Sequence, residues 1–276
     1  MKKEKFIDIE KVIASKNPRL LRWMPGFLLR YIKRILHENE VNEFFAVHGE
    51  KRNVVFAQQV IDFFEIDLRF AGLENLPETG GCIVASNHPL GGLDGLAFMI
   101  VVAKKRKDML FPVNDILLSL GTMNDIFIPV NKHGSQSAIG LIEETYRSDK
   151  AVLIFPAGLV SRKQKGGIRD LDWKKSFIAK GIQYNKPIIP VHIGGKNSNW
   201  FYNLARFRKF IGIKANIEMF YLADEMFRQR NKTITITFGK PIQPEFFDRS
   251  KSHKEWAQIV KEQVYAIGEG RKGPVY

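Results

Sequence analysis

The chain has 276 residues, 45% of them hydrophobic, and this composition excludes a disordered or fibrous protein. Lys and Arg number 43 against 29 Asp and Glu, and the net charge of +14 favours a polyanionic partner such as nucleic acid, an anionic membrane face or an acidic substrate. The single cysteine, Cys82, excludes a disulfide framework and a cysteine-based zinc site.

Residues 1–60 are predicted to form a small basic, amphipathic helical unit. Over residues 17–50 large apolar side chains recur at helical spacing with arginines and lysines between them, and residues 42–60 continue that spacing. Pro25 is expected to start a new helix or to kink one. The apolar side chains of residues 17–36 either pack on the rest of the protein or enter a bilayer while the cations meet anionic headgroups.

The charged first residues lack the apolar core of a signal peptide. Every apolar stretch is interrupted by charged residues well before the ~18 residues that a membrane-spanning helix needs. We therefore expect a protein of the cytosol, or a peripheral protein on the cytoplasmic face of the cell membrane.

From residue 61 to residue 276 the pattern changes to short strands that alternate with helices. Residues 64–70 alternate strictly between apolar and polar side chains, which predicts a half-buried strand. Further strands are predicted at 82–85, 109–113, 126–130, 151–155, 188–193, 216–221 and 233–238, and helices at 92–103, 134–148, 173–183, 199–211 and 252–267. This order predicts an α/β domain over 61–276, built on a mixed, mostly parallel sheet flanked by helices.

The first candidate site follows a predicted buried strand, where open α/β sheets bind their ligands. His88 has an ordinary pKa close to neutrality and suits a general base, and the Asp94 carboxylate can accept the imidazole Nδ1–H and fix its tautomer. Gly91 and Gly92 would let the backbone bend and approach a ligand. The start of a helix, with His88 as a local cap and Asp94 in the first turn, explains the same residues equally well.

A second candidate site follows the strand predicted at 151–155. Its loop combines proline, glycine, a hydroxyl and two cations, which suits an anion or a developing oxyanion. The residues are Pro156, Gly158, Ser161, Arg162 and Lys163. An ordinary strand and turn with a solvated basic flank is the commoner explanation of such a loop. His133, His192 and His253 lie near no acid at metal-ligand spacing, and we predict no metal site and no cofactor.

Together the two segments resemble the acyltransferase superfamily that includes lysophosphatidic acid acyltransferases. Its first signature, Asn-His followed by Asp, is matched by Asn87-His88 and Asp94, and its third, Phe-Pro-Glu-Gly followed by Thr/Ser and Arg, by residues 155–162. Its Ile/Val-Pro-Val strand is matched at 189–191, and the resemblance covers residues 66–245. It implies a glycerolipid acyltransferase-like fold and acyl transfer to a hydroxyl group.

The chain also departs from the superfamily pattern. Five residues separate His88 from Asp94 where the family usually has four, and Ala157 replaces the glutamate of the third signature. The arginine of the second signature, which the family links to an acceptor's phosphate, aligns with Asn131, and Lys132 beside it replaces a bidentate clamp imperfectly. The whole pattern is similar to a subgroup that completes ornithine and glycine lipids, whose acceptor, an N-(3-hydroxyacyl) amino acid, carries no phosphate.

This resemblance implies that His88 is the general base and that Asp94 orients it. The implied substrate-binding residues are Asn87, Gly91, Gly92, Asn131, Lys132, Pro156, Gly158, Ser161, Arg162 and Lys163. The expected co-substrate is an acyl-CoA or acyl-carrier-protein thioester, and the other expected partners are a lyso-lipid acceptor and an anionic membrane surface, with no specific nucleic acid. Two alternatives stay open: a lysophosphatidate acceptor, or a non-catalytic basic protein that binds nucleic acid or membranes.

Overall fold

The computed structural model describes residues 5–113, 118, 121–130 and 136–271. The N-terminal part of the chain is helical. Its helices are α1 (Ile9–Lys16), α2 (Pro18–Trp23), α3 (Gly26–Ile35), α4 (Glu38–His48) and α5 (Asn53–Phe63). Pro25 immediately precedes α3, so it starts a new helix rather than bending an existing one. Asn17 separates α1 from α2, and its side-chain oxygen caps α2 by accepting the Leu20 N–H.

The predicted boundary between residues 60 and 61 falls inside α5. Phe56 and Val60 of this helix pack in the same core cluster as Val84 of the central sheet. None of the helices in the described parts of the chain has the length and apolarity needed to cross a bilayer.

One mixed sheet forms the centre of the α/β region. Its strands are β1 (Asp67–Ala71), β2 (Cys82–Ser86), β3 (Met109–Val113), β4 (Phe127–Pro129), β5 (Ala151–Ile154), β8 (Ile188–Ile193) and β9 (Thr233–Phe238). β6 (Arg162–Gln164) and β7 (Gly167–Arg169) form a separate antiparallel hairpin. The strand order in the sheet is β1-β9-β8-β2-β5-β3-β4, and every neighbouring pair is parallel except β8 and β9. The prediction of a mixed, mostly parallel sheet is confirmed.

Helices cover both faces of this sheet. The helices that follow β2 in the chain are α6 (Gly92–Ala103), α7 (Gln136–Arg147), α8 (Ser176–Gln183), α9 (Asn199–Phe210), α10 (Leu222–Phe227) and α11 (His253–Gly268). Successive side chains of a strand point to opposite faces. Cys82 and Val84 of β2 therefore join a core cluster with α5 and α6, whereas Ile83 and Ala85 join a second cluster with α8 and α11. Burial on both faces explains why the central strands are continuous apolar runs.

The prediction of a strand over residues 216–221 is wrong. Ile217–Tyr221 form a 3-10 helix in which Glu218 is fully buried. Glu218 lies inside because its carboxylate accepts hydrogen bonds from the guanidinium groups of Arg162 and Arg208. The apolar and polar alternation in this segment therefore reflects a buried ion cluster and not the two faces of a sheet.

The strand predicted over residues 64–70 begins later and is more exposed than expected. Phe64 follows the end of α5, and Glu65 turns the chain with a φ of 51°, so β1 starts only at Asp67. Within β1 only Leu68 is partly buried, and the other residues are exposed. β1 is an edge strand that pairs with β9 alone, and this position leaves its side chains open to solvent.

Candidate active site

The end of β2 and the first turn of α6 bring His88 and Asp94 together. The imidazole Nδ1 lies 3.0 and 3.1 Å from the two carboxylate oxygens of Asp94. Asp94 is fully buried, and its Oδ2 also accepts the N–H groups of Leu90 at 2.7 Å and Gly91 at 3.3 Å. The same carboxylate thus caps the start of the helix and orients the imidazole. Asp94 lies in the first turn as predicted, and the capping group is Asp94 rather than His88.

The second ring nitrogen of His88 remains available. The ring stacks on Phe155, with centroids 4.1 Å apart and planes inclined by 15°. The side chain is 17% exposed, and Nε2 makes no hydrogen bond within the described parts of the chain. A histidine held at Nδ1 and on one ring face, with Nε2 open, is the arrangement that a general base requires.

The surroundings of His88 shift its pKa. Burial lowers the pKa, because it disfavours the charged imidazolium, but the charge and hydrogen bond of Asp94 and the charge of Asp170 raise it by more. The net result is a His88 pKa above its ordinary value. A base with a somewhat raised pKa accepts a proton more readily but is protonated over more of the neutral pH range.

We expect kcat/KM to fall as the pH is lowered, because only the neutral form of His88 can accept a proton. The raised pKa of His88 places the midpoint of this loss above about pH 6.5, the ordinary value for histidine. The measurement is kcat/KM for acyl transfer from about pH 5.5 to 8.5, corrected for spontaneous thioester hydrolysis. A flat profile, or a midpoint clearly below that of free histidine, would contradict this assignment of the base.

Asp170, which the sequence analysis did not single out, joins the two candidate segments. Its Oδ1 accepts the His88 backbone N–H at 3.2 Å and the Ser161 hydroxyl at 2.6 Å, and its Oδ2 accepts the indole N–H of Trp173 at 2.9 Å. The Ser161 N–H donates to the His88 carbonyl at 2.7 Å. Burial raises the pKa of the Asp170 carboxyl. Asp170 therefore holds the backbone of His88 in place and links it to Ser161.

Asn87 has a structural contact where a substrate contact was predicted. Its side-chain oxygen accepts the Ile193 N–H at 2.7 Å, and its amide N–H donates to the Ile193 carbonyl at 2.8 Å. The residue is buried, with 2% of its surface exposed. Asn87 therefore ties the end of β2 to the end of β8 and holds the strand from which the His88 loop departs.

The guanidinium of Arg162 also binds groups within the protein, where the sequence predicted that it would bind an anion. Its Nη2 donates to Glu218 at 3.0 Å, and its Nη1 donates to the Val160 carbonyl at 2.6 Å. The guanidinium is buried and lies over the ring of Phe201. The sequence could not show this, because Glu218 lies 56 residues further along the chain. The donors of Arg162 are therefore used inside the protein, where it shares the Glu218 carboxylate with Arg208.

The glycines before α6 shape its exposed N-terminus. Gly91 has a φ of 90° and a ψ of −127°, a conformation that side chains disfavour. Gly92 is the first residue of α6 and is exposed, and its N–H has no hydrogen-bond acceptor in the described structure. An open N–H at the positive end of a helix dipole is suited to developing negative charge.

Of the five predicted residues that follow β5, three are buried and two, Gly158 and Lys163, are exposed. Pro156 is buried, and its carbonyl accepts the Lys174 N–H at 3.1 Å. Gly158 is exposed with a φ of 66°, and the Nζ of Lys174 lies 3.1 Å from the position that a Cβ would take there. Lys163 is exposed on β6. Lys174 is thus a cation beside this loop that sequence reasoning missed.

Two predicted residues, Asn131 and Lys132, lie outside the described residues. In the ranges that are described, no three His, Cys, Asp or Glu side chains are grouped so that they could hold a metal ion.

The fold and the His88–Asp94 pair define the class of protein, and comparison with known proteins gives the family. The chain belongs to the acyltransferase family, whose model, described as "Acyltransferase", matches residues 11–271. It is 44% identical over 265 residues to a lyso-glycine lipid O-acyltransferase of Bacteroides thetaiotaomicron, covering 95% of this chain and 97% of the relative. A protein of the same name from Phocaeicola vulgatus is 44% identical over 265 residues, covering 95% of both chains.

A solved structure shows the same fold. It is the 1-acyl-sn-glycerophosphate (LPA) acyltransferase PlsC of Thermotoga maritima, with a TM-score of 0.51, 16% identity and coverage of 94% of this chain and 93% of that one. The predicted resemblance and the predicted acyltransferase fold are confirmed. Membership of the family makes the chain an enzyme, so the alternative of a non-catalytic binding protein is excluded.

Proposed function

We propose that this protein esterifies the hydroxyl of a lyso-glycine lipid, an N-(3-hydroxyacyl) amino acid, with a fatty acyl group from a CoA or carrier-protein thioester. The observation that carries the proposal is the imidazole of His88, held at Nδ1 by a buried carboxylate with Nε2 open. The names of two relatives that match 95% of the chain support the acceptor. We place the reaction at the cytoplasmic face of the cell membrane.

The reaction follows from this arrangement. The Nε2 of His88 accepts the proton of the acceptor hydroxyl as its oxygen attacks the thioester carbonyl carbon. Asp94 stabilises the imidazolium that forms and keeps the ring in place. The carbon–sulfur bond of the tetrahedral intermediate then breaks, and the imidazolium returns the proton to the leaving thiolate. One ester and one thiol are produced, and His88 ends in its starting state.

The N–H of Gly92 is our candidate for stabilising the oxyanion of this intermediate. It lies at the start of α6, it is exposed, and it makes no hydrogen bond to the described residues. The dipole of a twelve-residue helix adds a fixed positive field at the same point.

The nucleophiles near the site favour direct transfer over an acyl-enzyme. Cys82 is fully buried in β2, and burial raises the pKa of its thiol to about 11, so little reactive thiolate forms. The hydroxyl of Ser161 is buried and donates to Asp170 at 2.6 Å rather than to an imidazole. Neither side chain is activated as a covalent nucleophile requires.

The charges around the site favour a carboxylate-bearing acceptor. The guanidinium of Arg162 is buried and already donates to Glu218 and to the Val160 carbonyl, so it offers no bidentate clamp for a phosphate. The exposed cations beside the loop include Lys163 and Lys174, and a lysine holds an anion as a single point charge. Such a charge suffices for a carboxylate but does not supply the paired donors that bind a phosphomonoester in a bidentate manner.

We expect kcat/KM for a lyso-glycine lipid to exceed that for lysophosphatidate by at least about tenfold, or ~1.4 kcal/mol of transition-state stabilisation. Competition between the two acceptors, with equal chain lengths and one thioester donor, measures this ratio directly. Lys174→Ala should reduce the rate with the glycine lipid, and Lys254→Ala, at an exposed position on α11, serves as the matched control. Preference for lysophosphatidate would contradict the proposed acceptor and support the alternative of a phospholipid-pathway acyltransferase.

The surface of the N-terminal helices supports the proposed contact with an anionic bilayer. Trp23 is 84% exposed and Phe27 is 69% exposed, so these large apolar side chains do not pack on the protein. Arg22 and Arg30 are exposed on the same helices. Apolar side chains interleaved with cations are typical of helices that lie in the membrane interface.

A further inference from the structure

A second exposed apolar surface lies far along the chain from the N-terminal helices. We call it the α9 patch: Trp200, Phe207, Phe210, Ile211, Ile213 and Phe220. Phe210 is 87% exposed and Phe220 is 66% exposed, although both are large aromatic side chains. Clustered exposure of this kind marks an interaction site rather than ordinary surface.

The α9 patch is not a core face that lacks its partner. The opposite side of α9 already packs inward, because Phe201, Tyr202 and Ala205 are all buried. Phe201 and Tyr202 form a small cluster with Val160, directly before the Ser161 segment. The exposed aromatics therefore belong to a second face that the fold itself leaves uncovered.

The charges around the α9 patch identify what covers it. Arg206, Lys209 and Lys214 are exposed within or beside it. Large apolar side chains surrounded by cations match a bilayer with anionic headgroups, since the rings enter the apolar boundary and each cation near the surface adds about 1 kcal/mol. An anionic bilayer supplies negative charge along the whole surface, whereas a partner protein would have to place acidic side chains at matching positions.

The α9 patch is continuous with the surface of α2 and α3. The hydroxyls of Tyr31 on α3 and Tyr221 lie 2.8 Å apart. The ring of Trp200 packs edge-on against Tyr221, with centroids 6.1 Å apart. Tyr221 therefore joins the α9 patch to the helices that carry Trp23 and Phe27.

This surface also borders the active site. Leu222, the residue after Tyr221, lies 3.4 Å from the position that a Cβ would take on Gly91. Glu218 binds Arg162 and Arg208, which ties α9 and its following turn to the residue after Ser161. A membrane contact at the α9 patch is thus linked by direct contacts to both candidate segments.

We propose that the α9 patch is a second membrane-insertion surface. Together with α2 and α3 it holds the His88 site against an anionic bilayer. The inference rests on the proposed reaction at a membrane, and it adds a specific surface that holds the site there. Lipid substrates then enter from the bilayer beside Gly91 without crossing water.

The test places a polarity-sensitive fluorophore on single cysteines in the full chain. The variants are Phe210→Cys and Trp23→Cys. The control is Lys254→Cys, at an exposed position on α11. Cys82 does not compete for the label, because it is buried and its thiol pKa is raised to about 11. The probe is phosphatidylcholine vesicles with about 30% phosphatidylglycerol, compared with phosphatidylcholine alone.

A blue shift at positions 210 and 23 with anionic vesicles, and none at 254, is the expected result. A shift at position 23 without one at 210 would overturn the inference and leave membrane contact to α2 and α3 alone. No shift at any position would instead overturn the proposed membrane location. A shift at 210 that grows with protein concentration in the absence of vesicles would overturn the inference in favour of a second copy of the chain.

A paired substitution gives an independent readout. Phe207→Ser with Phe210→Ser should weaken binding to anionic vesicles at least about tenfold, because two large apolar side chains lose their burial. The activity of this variant on a detergent-dispersed acceptor should stay unchanged, which shows that the fold is intact. Unchanged vesicle affinity in an active variant would contradict the inference.

Discussion

His88→Ala is expected to lower kcat/KM by about 10²–10⁴-fold, the usual range for loss of a general base. The reason is structural. The Nδ1 of the imidazole lies 3.0 Å from a fully buried carboxylate, and Nε2 makes no hydrogen bond in the described structure. The measurement is initial-rate release of free thiol, with ester formation followed in parallel. His253→Ala, at an exposed position at the start of α11, is the matched control and should behave as wild type.

The same pair of variants shows what would refute the assignment. Without the imidazole, Asp94 keeps its hydrogen bonds from the Leu90 and Gly91 N–H groups, so the His88→Ala variant should fold, and thermal melting checks this. A folded His88→Ala variant with near-full turnover on a verified acceptor would require a different base.

Asp94→Asn is expected to cost about 10³–10⁴-fold in kcat, comparable to loss of the base itself. The asparagine oxygen can still accept the Leu90 N–H, which Asp94 holds at 2.7 Å, so the start of α6 is preserved. An amide N–H facing Nδ1 instead favours the tautomer that carries its proton on Nε2. In that tautomer His88 cannot accept a proton from the acceptor.

Asp172→Asn provides the control, because Asp172 is an exposed aspartate two residues after Asp170. Circular dichroism and thermal melting separate a folding defect from a catalytic one. An Asp94→Asn protein with native stability and a loss of less than about tenfold would show that orientation by this carboxylate is unimportant.

The sheet could be predicted because the local sequence of each central strand is sufficient to identify it. β2, β5 and β8 are buried on both faces, and each is a short apolar run bounded by turn residues. The His88–Asp94 contact was also predictable, since both residues lie on one short segment that starts a helix. Local sequence order was enough to show that these side chains are neighbours.

Contacts between distant parts of the chain were not predictable. Asp170 binds the His88 N–H across 82 residues, and no pattern around Asp170 marks that contact. The pairing of Arg162 with Glu218 spans 56 residues, and the sequence instead predicted a strand around Glu218 and an anion-binding role for Arg162. A buried charge looks like a surface charge in a sequence until its partner is known.

Lipid mass spectrometry tests most directly whether this acyltransferase makes an ester on a glycine lipid. Purified protein would be incubated with anionic vesicles, lyso-glycine lipid and an acyl thioester. We predict a product heavier than the acceptor by one acyl group, cleaved by mild base as esters are, with one free thiol released per product. Thiol release without a new ester, or acylation that appears only on lysophosphatidate, would contradict it.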